Sequence, residues 1–135
     1  MLAAGLLAAT PHSCIQAQGD ETISDKDINV IEYETPGYPA LALQSRIQGI
    51  VVVRARLDAV GKVIEATALS GSQYLLPEAV ANAKKFQFQP NSQKAVVVVY
   101  HFKLSQGRCK FPSGFSELEA RNLVTITACP RSIEP

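Results

Sequence analysis

The sequence predicts an α+β domain, and three observations carry that prediction. Ala95 to Leu104 is β-branched and aromatic almost throughout, with no Gly or Pro inside it, and reads as a strand. Ile50 to Asp58 and Lys62 to Leu69 are two further strand runs joined by a short turn. Two other segments, after Tyr38-Pro39 and after Leu75-Leu76-Pro77, open with Pro in the first helical turn and carry helical spacing.

The bulk properties narrow the function. A chain of 135 residues suits one small domain with its own core and some tail. Lys+Arg 13 against Asp+Glu 12 leaves a net charge of +1 with no basic block, so neither nucleic acid nor an anionic membrane surface is an expected partner. The 3 Cys and 2 His include no pair at zinc-ligand spacing, so no metal or other cofactor is expected. Met1 to Ala9 is small and apolar and Pro11 ends it, too short to span a bilayer but suited to the apolar part of a secretory signal. Ala17-Gln18-Gly19 is a fitting cleavage site, although no Lys or Arg precedes the apolar run. Pro11-His12-Ser13 is a poor approach to a lipidated Cys14. The reading is export to the periplasm, with residues 1–19 as signal peptide, or a membrane-associated chain if the true start lies upstream.

The elements follow in order. Asp20 to Asn29 is polar and reads as a mobile lead-in, and Val30 to Glu34 as a short strand or an extended segment. Thr35-Pro36-Gly37 is a turn. In the first helix Leu43 and Ile47 share a face, and Gly49 is expected to stop it in the left-handed conformation. Val51, Val53, Ala55 and Leu57 share one face of the next strand, while Arg54, Arg56 and Asp58 lie on the other. Gly61 supplies positive φ in the loop that follows. In the second helix Leu75 and Val80 are placed as a hydrophobic staple, with Ala79, Val80 and Ala83 as the buried stripe. Glu78 and the Lys84-Lys85 pair suit the two ends of the helix dipole. Phe86 and Phe88 leave the helix on one side of an extended piece and close the core. Val96, Val98, Tyr100, Phe102 and Leu104 then share one face of the valine strand, and Val97, Val99, His101 and Lys103 the other. Such a strand is either covered by more protein or stands at an edge where another chain pairs with it.

This run of features resembles the C-terminal domain of TonB, the periplasmic energy transducer of bacteria with an outer membrane. The matching residues are Tyr38-Pro39 with Ala42, Arg46-Ile47-Gln48-Gly49 leading into Val51-Val52-Val53, and Asp58 with Gly61-Lys62-Val63. After them come Ser70-Gly71, Ala79 to Ala83, Phe86-x-Phe88-x-Pro90 and the strand ending Phe102-Lys103-Leu104. The resemblance covers Tyr38 to Leu104. It implies a two-layer α+β fold with two helices packed on a three-stranded antiparallel sheet, the helices on one face, and residues 20–37 as an extended lead-in. It also implies that Val96, Val97, Val98, Val99, Tyr100, His101, Phe102 and Lys103 form the strand that receives an extended segment of an outer-membrane transporter. Affinity would come from main-chain hydrogen bonds, with no catalytic residue and no small-molecule substrate. A homodimer through the same strand edge is the other expected partnership. A full transducer also has a membrane-spanning helix and a Pro-rich spacer. Asp20 to Tyr33 contains no Pro, so the chain looks like the receptor-facing domain alone.

Residues 105–135 depart from the transducer pattern. Cys109 and Cys129 bracket a turn-rich part around Pro112-Ser113-Gly114 and a good strand, Leu123 to Thr127. In an exported protein such a pair reads as a disulfide, which contributes about 3 kcal/mol for a loop of this length in the chain-entropy model. The expectation is a Cys-closed flap with an extra strand, able to cover the docking edge. Two functions follow: a binding module open to a partner strand, or a self-capped accessory domain that has lost docking.

Overall fold

A computed structural model describes residues 28–105 and 115–129. The elements are β1 (Val30–Glu32), α1 (Ala40–Gln44), β2 (Gly49–Leu57), β3 (Val63–Ser70), α2 (Leu76–Ala83), β4 (Gln87–Phe88), β5 (Ala95–Leu104), β6 (Phe115–Ala120) and β7 (Leu123–Ala128). The fold is α+β, as expected, but the sheet is larger than three strands and is mixed. Its order is β3-β2-β5-β7-β6, with β5 and β7 parallel and every other neighbour antiparallel. The reason is the C-terminal extension. It enters the sheet as a hairpin with a two-residue turn at Arg121 and Asn122, and does not lie over the domain as a flap. Cys109 lies outside the described residues, as do Cys14 and residues 1–19, the expected signal peptide.

Side-chain alternation decides which face is packed. Val51, Val53, Ala55 and Leu57 of β2 are buried, as are Val96, Val98, Tyr100 and Phe102 of β5 and Val124 and Ile126 of β7. They share one cluster with Ala42 of α1 and Ala79 and Ala83 of α2, so helices and strands meet through small residues on one side of the sheet. Val80 is only half-buried, and Asn82 takes the third buried position of α2. Pro77 sits in the first turn of α2, where its missing N–H costs nothing.

Three local expectations are corrected. The lead-in is packed from Ile28 onward: Ile28 is 1% exposed, β1 pairs with β4, and the Tyr33 ring lies 5.6 Å from that of Phe86. Gly49 does not stop α1. The helix ends at Gln44, Arg46 takes the left-handed conformation at φ 53, and Gly49 opens β2 at φ 147. The face shared by Leu43 and Ile47 is only half-buried, with Ala42 making the deep contact. Gly61, by contrast, has the positive φ expected of it, at 88. A Cβ there would stand 1.9 Å from the Phe88 carbonyl oxygen, so both conformation and space demand glycine. Asp58 organises the same loop, its Oδ1 accepting from the Val60 and Lys62 amides at 3.0 and 2.9 Å.

Candidate partner-binding strand

The residues expected to receive a partner, Val96 to Lys103, all lie on β5, in the middle of the sheet. Its packed face is anchored at depth. The Tyr100 hydroxyl donates to Asn82 Oδ1 at 2.9 Å, and Asn82 Nδ2 donates to the Glu34 carbonyl at 2.8 Å. This chain ties β5 through α2 to the segment that enters the domain, and it satisfies a buried amide that would otherwise be costly. Tyr38 packs edge-on against Phe102 with centroids 5.4 Å apart and donates its hydroxyl to the Ile47 carbonyl at 2.5 Å. Burial raises the Tyr38 pKa to about 12. Burial, with a smaller contribution from Glu78, pushes Tyr100 further above the ordinary tyrosine value. Both phenols stay protonated and act as fixed donors.

The family-type residues gather at two ends of β2. At one end Gly49 lies opposite Phe102, against which Tyr38 packs, with Pro39 as N-cap of α1. At the other Gly61 fits against Phe88 and Pro90, and Phe86 stacks on Phe88 at 5.3 Å. Between them runs β5, in antiparallel register with β2 from Gly49↔Phe102 to Arg56↔Ala95.

The opposite flank of β5 decides what the strand can do. From Val99 to Leu104 it is paired with β7, in the register Val99↔Leu123 to Leu104↔Ala128. The Val99 amide donates to the Asn122 carbonyl at 2.8 Å, and the Ser105 amide to the Ala128 carbonyl at 2.8 Å. At the start of the strand, the Asn91 side chain accepts from the Ala95 amide at 3.3 Å and donates to the Ala95 carbonyl at 2.9 Å. Backbone groups alternate in direction, so those of Val97 face the same flank. Val97 is the one residue left there between the Asn91 clamp and the first β7 contact. On the face away from the helices, His101 lies between Ile50 and Thr125, and Lys103 is exposed.

Sequence reasoning missed the residues that seal the strand. Asn82 bonds a distant hydroxyl and a distant carbonyl, Asn91 bonds nearby backbone and Asn122 acts through its main-chain carbonyl, and only Asn82 left a signal, as a polar residue on the α2 stripe. The β6 strand was missed because Glu117 and Glu119 hide its alternation.

Residues 34–105 match the family model of the Gram-negative bacterial TonB protein C-terminal domain. The match begins just after β1, spans both helices and the strands from β2 through β5, and ends where the extension begins. The chain belongs to that family. No curated protein and no solved structure matches it.

Proposed function

We propose that this chain is an exported TonB-type interaction domain of the periplasm, serving energy-dependent transport across the outer membrane, and that it is self-capped. Its partner by family is an outer-membrane TonB-dependent transporter, whose extended segment would add to β5 through main-chain hydrogen bonds. No chemical step is assigned to it. The observation that carries the self-capped reading is the β5–β7 ladder from Val99 to Leu104, which takes up the N–H and C=O groups a partner strand would use. An incoming segment therefore reaches β5 only when β7 has left. Export is supported by the apolar Met1 to Ala9 run and the Ala17-Gln18-Gly19 site. A Cys109–Cys129 bond would hold the hairpin in place. Its support is that Cys129, directly after β7, is a bonded sulfur and not a free thiol.

The test is titration of an extended transporter peptide into oxidised protein and into C109S/C129S carrying Thr125→Pro, with amide shifts as readout. Thr125 stands in the middle of β7, and proline there removes a main-chain donor. The oxidised chain should not bind. Binding by the variant, with shifts along β5, marks docking that the hairpin guards. No binding by either form marks an accessory domain. Tight binding by the oxidised chain with shifts on β5 would overturn the self-capped reading.

A further inference from the structure

With β5 closed, the outer edges of the sheet are β6 and β3, and they differ in what they offer. β6 carries exposed Glu117 and Glu119, the kind of charge that repels a second strand. β3 has a single charged residue, Glu65, already 3.6 Å from Arg56 on its own sheet face. Its other residues are apolar, small or uncharged, with Ile64 at 52% and Leu69 at 57% exposure.

The direction of the free groups on β3 follows from the sheet itself. The Val99 amide points to β7, so its antiparallel partner Val52, and with it Arg54 and Arg56, turn their backbone groups toward β3. They meet Ser70, Thr67 and Glu65. Ala66 and Ala68 lie between those positions, and their N–H and C=O groups point outward. Register shifts near Ile64 and Leu69 bound this regular stretch on both sides, which limits the registers a second strand can take.

We infer that β3 is the interface through which two copies of this chain associate, by antiparallel pairing centred on Ala66. A strand paired antiparallel with itself is isologous, so it closes as a two-fold dimer. Centring on Ala66 brings the outward groups of Ala66 against those of Ala66 in the second copy, and sets Ala68 opposite the register shift at Ile64. Exposed Leu69 then comes opposite Val63. The charges select the same register. Across the outer sheet face the row becomes Arg56, Glu65, then Thr67 and Arg54 of the second copy, so each carboxylate keeps its own Arg56 and meets an uncharged threonine, not a second carboxylate. A register centred on Glu65 would oppose two carboxylates and turn bonded groups toward each other. A register centred on Thr67 would leave Arg54 facing Arg54 across two threonines. The homodimer expected at a strand edge therefore falls on β3 and not on β5. The inference does not depend on what β5 binds.

Sedimentation of the full oxidised chain from micromolar to millimolar concentration tests this, with Thr67→Glu and Thr67→Lys as the variants. Thr67 is exposed and stands opposite Arg54 within its own chain. Thr67→Glu gains that Arg54 inside the monomer yet faces Glu65 of the second copy, so it should weaken the dimer by about tenfold at low salt. Thr67→Lys opposes Arg54 inside the monomer yet faces the second copy's carboxylate, and should tighten it by about the same factor. A chain that stays monomeric throughout, or a dimer that both variants leave unchanged or shift in the same direction, would overturn the inference.

Discussion

The molecule contains two β-hairpins that differ in a way their positions in the sequence do not suggest. β2–β3 lies within the family span, and its second strand is an outer edge with only half-buried or exposed residues. β6–β7 lies beyond that span, yet β7 sits inside the sheet with Val124, Thr125, Ile126 and Ala128 buried. The extension has its apolar strand facing inward and its acidic strand facing water. A segment added outside the recognised domain is here more deeply built in than one belonging to it. Burial of β7 follows from the flank of β5 that it occupies, since any strand there has neighbours on both sides.

The contrast breaks most sharply under truncation. Ile126→Ala should destabilise the fold by about 2–5 kcal/mol, whereas Leu69→Ala, on the exposed edge, should stay within about 0.5 kcal/mol. Chemical denaturation of both variants measures the difference, and equal effects would mean that β7 is not part of the core. Gly61→Ala probes the loop of the first hairpin. Positive φ and the Phe88 carbonyl should make it cost more than about 1 kcal/mol, read from the denaturation midpoint.

The strand shared by the two hairpins is sensitive to alkali. Tyr38 and Tyr100 both have pKa values above that of an unfolded tyrosine, through burial. Their contribution to stability is complete below about pH 10, the unfolded value. It is lost as pH rises toward 12, the folded value for Tyr38. The melting temperature should fall across this window, and Tyr100→Phe should flatten the fall. A melting temperature flat from neutral pH to 12 would contradict the tyrosine environments. The smallest effect concerns Thr125, which is 2% exposed and whose Oγ1 has no hydrogen-bond partner among the described residues. Thr125→Val should be neutral or stabilising by up to about 1 kcal/mol in a thermal melt. A loss of more than that would show the hydroxyl to be satisfied.

How far the sequence could be read depended on the range of the interactions involved. The two faces of β2 and β5 were legible because alternation is local, and Pro77 and Gly61 because their backbone demands are local too. The strand at Leu123 to Thr127 was also legible. Its parallel partnership with β5 was not, because that register is set by the return of β6, whose glutamates mask its pattern. Ile28 was missed because one apolar residue among Asp25, Lys26, Asp27 and Asn29 carries no period. For the candidate site, the strand itself could be named from its valines. Whether its edge is open could not, since that depends on residues far along the chain, on the side-chain amide of Asn91 and on the main-chain carbonyl of Asn122.

The parallel pairing of β5 with β7 also sets an order of events in time. β5 is complete at Leu104, and the strand that covers it ends at Ala128. A chain made from its N-terminus at about 5–20 residues per second has a vacant β5 flank for on the order of seconds before β7 exists. Once β6 and β7 have emerged, a hairpin closes in about 1–10 μs, far faster than an encounter with a dilute partner. A newly folding chain is thus open to a foreign strand for a brief interval only, and closure of the β6–β7 hairpin brings that interval to an end.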